Sequence, residues 1–254
     1  MNFLAITWDP SLGIPIGDFT IRWYSLMFVA SFLYWLFQIS AEMDLEAQKM
    51  SSESRASPIK EVWLIAPITA SIVYPIVVLG GKHIMSNYEP FDIQQYMFIY
   101  NLYQVLLNIW TVYEMCKELY TNPWYSFKYG FLPWGHHSQP GYSGYRIQYL
   151  VWVHYNNKFV ELLDTLWMVL KKNNKQISFL HCYHHMLLIW VWFHCCMVDP
   201  GGEAWFGACI NSLIHVYMYG YYTLSLLKFP VGFMKIYMTS CQMLQFVICL
   251  IHAS

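Results

Sequence analysis

The chain has 254 residues, of which 57% are hydrophobic, 19% aromatic and only 11% charged, and its formal net charge is -1. A soluble domain carries about 25% charged residues, so this composition describes a membrane chain. The near-neutral balance excludes a nucleic-acid binder acting through bulk charge.

No cleavable signal peptide is visible, because a long mixed segment rather than a short basic one precedes the first apolar run. Apolar segments then fall at 19–39, 62–80, 96–119, 150–170, 177–197, 204–227 and 233–252. A span needs about 20 apolar residues, and only helices satisfy their own backbone in lipid. The expected fold class is therefore all-α: a polytopic membrane protein with about seven transmembrane helices. Residues 40–61 are polar and Ser-rich and read as an exposed linker. Residues 121–149 mix Gly, Pro and aromatics and read as an ordered interfacial loop. Seven cysteines (Cys116, Cys182, Cys195, Cys196, Cys209, Cys241, Cys249) form no CxxC pair, the pattern of structural buried thiols.

Orientation comes from the short connections. Lys171, Lys172 and Lys175 crowd the turn after the fourth segment, and Lys228 and Lys235 follow the sixth, whereas the fifth-to-sixth connection has two acids and no base. The positive-inside rule puts the basic connections in the cytosol. From that edge, a rise of about 1.5 Å per residue sets Asp164 and Glu161 roughly 9 and 14 Å deep, and His184 and His185 at roughly 10–12 Å. Tyr219 and His215 fall near 12 and 18 Å, and Thr239, Gln242 and Gln245 between about 9 and 18 Å. Four helices thus aim polar side chains at one slab, which reads as a buried site opening toward the cytosol.

The strongest feature of that slab is His181-Cys182-Tyr183-His184-His185. Ionisable rings in hydrocarbon are costly and mark function, and positions i, i+3 and i+4 share one helical face. The remaining polar residues each have a plainer reading. Lys158 with Glu161 suits a structural ion pair, and Gln242 and Gln245 suit interhelical hydrogen bonding. Tyr217, Tyr219, Tyr221 and Tyr222 suit packing, while Asn211, one turn from His215, suits fixing that ring's tautomer. His83, His136, His137, His194 and His252 are assigned no role.

HxxHH is also the spacing of membrane di-iron desaturases and hydroxylases. Imidazole suits iron, but a two-iron site of that class needs about eight histidines, and outside this box the chain has neither a second HxxHH nor an HxxxH. The other use of a desolvated imidazole is as nucleophile, carrying an acyl group, with a second histidine as base. A carrier with a midplane site is disfavoured by the lack of Gly/Pro-broken helix pairs in matching halves.

Taken in order, KFVELLDT (158–165), HCYHH (181–185), NSLIHVYMYGYY (211–222) and TSCQMLQF (239–246) resemble the four signatures of the ELO fatty-acid elongases. Gln176 to Leu180, leading into the histidine box, resembles the branch acting on polyunsaturated acyl chains. The resemblance implies a condensing enzyme (3-oxoacyl-CoA synthase) of the endoplasmic reticulum membrane that joins acyl-CoA to malonyl-CoA, releasing CoA and carbon dioxide. It implies a six-helix ring around an acyl tunnel, no metal and no tightly bound cofactor. Its partners would be membrane lipid, the reductases and dehydratase of the elongation cycle, and a second copy in a homodimer. Carried over, the family's mechanism makes His184 the acyl acceptor, with His181, His185 and His215 completing the catalytic set. Lys158, Glu161 and Asp164 would orient the histidines, while Asn211, Tyr219, Tyr222, Gln242 and Gln245 would line the cavity. Lys171, Lys172 and Lys175 are the expected contacts for CoA phosphates, by their clustering at the cytosolic mouth.

Two departures accompany the resemblance. The family's last helix and basic tail would follow the TxxQ segment, whereas the chain stops at Ser254, so 62–254 is expected to be a C-terminally truncated elongase domain. Residues 1–61 are an extra N-terminal segment, and 5–30 resemble the start of bacterial prolipoprotein diacylglyceryl transferases, as a fused gene product would.

Overall fold

The computed structural model describes residues 13–16, 19–22, 34, 64–121, 145–198 and 204–252. The expected linker over 40–61 and most of the loop over 121–149 lie outside the described residues. Near the N-terminus, β1 (Gly13–Ile16) and β2 (Phe19–Arg22) pair antiparallel, with Ile16 opposite Phe19. The first apolar run therefore does not begin as a helix at residue 19. Its opening residues are extended.

Among the described residues the other elements are helices: α1 (Ile65–Met85), α2 (Gln94–Thr121), α3 (Tyr145–Val160), α4 (Leu163–Leu170), α5 (Phe179–Val198), α6 (Ala204–Leu226) and α7 (Gly232–His252). The helices form an arc in which neighbours pack in the order α1, α5, α3, α2, α6, α7, with the α2–α6 pair the most extensive. The main core lies among α2, α3, α5 and α6, around Met115, Ile147, Leu150, Val151, Tyr155, Ile189 and Ala208.

By length and composition α1 and α7 are apolar enough to cross a membrane. Their outer faces expose large apolar side chains, such as Ile65, Ile72, Ile76 and Leu79 on α1 and Ile236, Leu244, Leu250 and Ile251 on α7. In water such stripes would be uncovered; in a bilayer they face lipid. The 28-residue α2 is long enough to span but carries buried Asn101, Gln104, Asn108, Thr111, Glu114 and Glu118. Apolarity is therefore unequal among the described helices. Inner helices trade apolarity for a polar interior, and the outer two keep it. This is an integral membrane protein.

The fourth apolar segment, expected as one helix, is two. Glu161 and Leu162 form a turn between α3 and α4, where Leu162 N bonds Phe159 O at 3.2 Å and Asp164 N bonds Glu161 O at 3.1 Å, tightening the ladder to i→i+3. No proline or glycine causes the break. The KFVELLDT residues therefore do not share one continuous helical face, and the turn aims Glu161 and Asp164 separately.

Two helix ends use lysine where glycine is usual. Lys172 (φ 56°) and Lys228 (φ 60°) end α4 and α6 in left-handed caps, with Asn173 N on Met168 O at 2.8 Å and Phe229 N on Leu224 O at 3.0 Å. Gly81 permits close approach of α1 to α4, because a Cβ there would sit 3.0 Å from Val169 Cγ1. All seven cysteines are free; Cys196 and Cys209 are buried as expected, but Cys116 is exposed and the other four are partly buried.

Candidate active site

Ser178 starts α5 by accepting the backbone N–H of His181 on its hydroxyl at 3.1 Å. The histidine box thus occupies the first turns of α5. His181 and His185 stack edge to face at 4.6 Å between ring centroids, and His184 and His185 lie 5.7 Å apart. The three rings share a wall of a cavity of about 890 Å³. Glu161, Asp164, Lys171, Lys172, His215, Tyr219, Tyr222 and Gln242 line the same cavity. Residues from all four sequence signatures therefore meet at one space.

Behind the wall, a hydrogen-bonded network holds Glu161. Lys158 Nζ donates to Glu161 Oε1 at 2.8 Å and Oε2 at 3.1 Å, and to Asn211 Oδ1 at 2.8 Å. Asn157 Nδ2 adds a bond to Oε1 at 3.0 Å. His215 Nδ1 lies 3.2 Å from the same oxygen without the alignment of a hydrogen bond. Lys158 and Glu161 are 1% and 2% exposed. Two charges so far from water persist only when paired and multiply bonded, and here they are. On the other side of the turn, Tyr219 donates to Asp164 Oδ2 at 2.6 Å and meets Tyr100 Oη at 3.4 Å.

Some expected site residues stand elsewhere. Lys175 is exposed and not part of the cavity wall, since the turn after α4 points it outward. Gln245, about one turn beyond Gln242 on the inward side of α7, is buried but does not reach the cavity, and Thr239 is exposed. Tyr217 binds Met234 O at 2.8 Å rather than facing the site, whereas Tyr221 lines it.

Other residues of the site escaped the sequence reading. Gln104 Oε1 accepts Asn157 Nδ2 at 2.8 Å, and Asn108 Nδ2 donates to Gln104 O at 2.7 Å. The spacing of Asn101, Gln104, Asn108 and Thr111, one polar residue per helical turn, was the available signal. His154, one turn before Lys158, is buried with Nδ1 3.2 Å from Ser212 Oγ and its ring 4.4 Å from that of Trp192. Lys235 at the start of α7 joins Lys171 and Lys172 in the cavity wall. Met97, Met168, Met218 and Met238 supply soft apolar lining. Among the described residues, no three His, Cys, Asp or Glu side chains gather closely enough to hold a metal ion.

This arrangement of histidines, carboxylates and tyrosines coincides with a family match over residues 58–254, to ELO, the GNS1/SUR4 family. The chain belongs to the ELO family. Among its relatives, very long chain fatty acid elongase 5 of Homo sapiens is 38% identical over 192 residues, covering 75% of this chain and 62% of that protein. Elongase 1 of Mus musculus is 37% identical over 196 residues, covering 75% of this chain and 67% of the relative. Elongase 7 of Rattus norvegicus is 33% identical over 212 residues, covering 78% and 72%. The ELO chain thus spans about 62% of the length of the elongase 5 proteins it matches.

Proposed function

We propose that the protein is the condensing enzyme of fatty-acid elongation, converting acyl-CoA and malonyl-CoA to 3-oxoacyl-CoA, CoA and carbon dioxide. The observation that carries this reading is the convergence of HCYHH, Glu161 and Asp164, His215 with Tyr219, and Gln242 on one cavity, in a chain of the ELO family.

In the proposed reaction, His184 attacks the thioester carbonyl of acyl-CoA. The C–S bond breaks, CoA leaves as thiolate, and the imidazole proton passes to it, giving an acyl-imidazole and CoA. Malonyl-CoA then loses carbon dioxide, and the enolate left behind forms the new C–C bond at the acyl carbonyl. The imidazolate is expelled and takes up one proton from solvent, so the cycle consumes one proton overall. His185 and His215 serve the proton movements. The Lys158–Asn157–Glu161 network holds a carboxylate 3.2 Å from His215 Nδ1, and Asp164 fixes Tyr219 at the cavity wall by accepting its hydroxyl proton in a hydrogen bond. Lys171, Lys172 and Lys235 receive the CoA phosphates.

A polyunsaturated acyl chain is the proposed substrate class. The four methionines of the lining support it, because their flexible thioethers adapt to a bent chain. The proposed setting is the endoplasmic reticulum membrane, beside the reductases and dehydratase that consume the product, with the enzyme as a homodimer. The test is purified full chain with radiolabelled malonyl-CoA and a panel of acyl-CoAs. Release of labelled carbon dioxide with an acyl chain longer by two carbons is expected. Chelator-sensitive oxidation of the acyl chain, without elongation, would instead favour the desaturase class.

A further inference from the structure

We propose that Tyr74 is a positioning residue that acts through Thr165 to commit the Nε2 lone pair of His181 as a hydrogen-bond acceptor, reserving the neighbouring His184 for covalent chemistry. The proposal rests on the acyl-transfer reading of the cavity and deepens it.

Tyr74 sits on α1, immediately before Pro75 and 6% exposed. Its hydroxyl lies 2.7 Å from Thr165 Oγ1 on α4. The same Oγ1 lies 2.8 Å from His181 Nε2 on α5. Thr165 is fully buried, so water does not compete for its hydroxyl. Three helices are thus joined by one short file of two hydroxyls and an imidazole. Each hydroxyl has a single proton, and Thr165 Oγ1 makes no other hydrogen bond among the described residues, so its proton goes to one of these two neighbours and the file runs in one of two directions. Either Tyr74 donates to Thr165 and Thr165 to Nε2, or His181 Nε2–H donates to Thr165 and Thr165 to Tyr74.

The ends of the file decide between them. Run backward, the phenol proton is left without a partner, because among the described residues the Tyr74 hydroxyl makes no hydrogen bond other than that to Thr165, and the nearby thiol of Cys182 is a weak acceptor. Run forward, each proton lands on a good acceptor, ending on the imidazole nitrogen. The forward file fixes His181 with its proton on Nδ1 and its Nε2 lone pair occupied. Such a ring is a poor nucleophile at Nε2 but a rigid edge for His185, 4.6 Å away. His184, in contrast, has no hydrogen bond to another side chain among the described residues. Its ring is free to meet a substrate carbonyl at the cavity wall. The three histidines of one helical face are thereby given unequal roles by a residue two hydrogen bonds away.

The test is nitrogen NMR of the full chain with ¹⁵N-labelled imidazoles in lipid nanodiscs, with the His181 signals assigned by their loss in His181→Asn. The expected wild-type signature is an unprotonated, hydrogen-bonded Nε2 with a protonated Nδ1. Tyr74→Phe, which keeps the ring and removes only the hydroxyl, should give a mixture of tautomers. Thr165→Val should abolish the signature and Thr165→Ser should keep it. A protonated Nε2 in the wild type, or a His181 spectrum indifferent to Tyr74→Phe, would overturn the proposal. In turnover, Tyr74→Phe should lower kcat about fivefold at unchanged KM, the worth of one hydrogen bond; an unchanged kcat would equally overturn it. The NMR measurement needs no turnover, so absence of elongation in every sample would count against the acyl-transfer reading alone.

Discussion

Two clusters of buried charge stand at opposite ends of α3. At its C-terminal end, Lys158 pairs with Glu161, which together with His215 borders a cavity. At its N-terminal end, about 22 Å away along the axis, Arg146 contacts Glu114 Oε2 and lies 3.0 Å from Glu118 Oε2, with Lys117 3.8 Å from Glu114. Both clusters are assembled from α3 and its neighbours, and both keep carboxylates nearly free of water, at 2% exposure for Glu161 and Glu114. They differ in what they face. The first offers its charges, through histidines and tyrosines, to a space of about 890 Å³. The second borders no part of that cavity and clamps the end of α2 to the start of α3. Buried charge on its own therefore says little about chemistry; buried charge beside a void lined with imidazoles says much more.

The largest effect should come from the cavity itself. His184→Ala removes the proposed acyl acceptor, so product formation should fall by at least about a thousandfold, while size-exclusion profile and thermal unfolding in detergent stay near wild type. Retained elongation in this variant would remove His184 from the covalent step. At the other end, Arg146→Ala leaves two buried carboxylates without their guanidinium and should destabilise the protein by about 3–5 kcal/mol, read as a lowered midpoint in thermal or denaturant unfolding. Per folded molecule its kcat should be unchanged. A selective loss of kcat would make this clamp part of the catalytic apparatus and dissolve the contrast.

Apolar replacement sharpens the comparison further. Buried ion pairs exchanged for well-packed apolar residues are often neutral in stability. The triple variant Arg146→Met, Glu114→Leu, Glu118→Leu should therefore recover both the fold and the turnover. Lys158→Met with Glu161→Leu should recover the fold but leave kcat down by about a hundredfold, because His215 loses the negative charge 3.2 Å from its Nδ1 that would stabilise the ring when it takes up a proton. A smaller decrement belongs to Gln104→Leu. It removes the acceptor that steadies Asn157, one bond back from Glu161, and should cost about fivefold in kcat, the worth of one hydrogen bond.

Much of this was legible in the sequence, and the misses share a cause. From the second apolar segment on, helix positions followed from hydropathy to within about five residues, apart from the break in the fourth, since a helix in lipid must be apolar on its outer side. The HCYHH face was legible because three ionisable rings in such a run have no cheap structural excuse. Gln104 and Asn157 were not, because an amide in an apolar helix is as readily interhelical glue as site scaffold, and only the 2.8 Å bond between them tells which. The turn at Glu161–Leu162 carries no proline or glycine to announce it. The Tyr74–Thr165–His181 file joins three helices, and pairing between helices leaves no periodic trace in one sequence.

The smallest expected effect tests the mouth of the cavity. Lys171, Lys172 and Lys235 line it, whereas Lys175 is exposed and outside the wall. Lys172 Nζ already donates to Tyr88 O at 3.0 Å, so part of its capacity is spent on holding the loop between α1 and α2. If the lysines attract CoA phosphates, each acts through a partly solvated charge, worth about 0.2–1 kcal/mol. Lys171→Gln and Lys235→Gln should then raise KM for malonyl-CoA by about two- to fivefold at unchanged kcat. The rise should shrink with added salt, as the Debye length falls from about 10 Å at 0.1 M to 3 Å at 1 M. Lys175→Gln should leave KM where it is. Equal effects of Lys175→Gln and Lys171→Gln would mean that the phosphates are drawn by the net charge of the turn, and that the cavity wall adds nothing to their recognition.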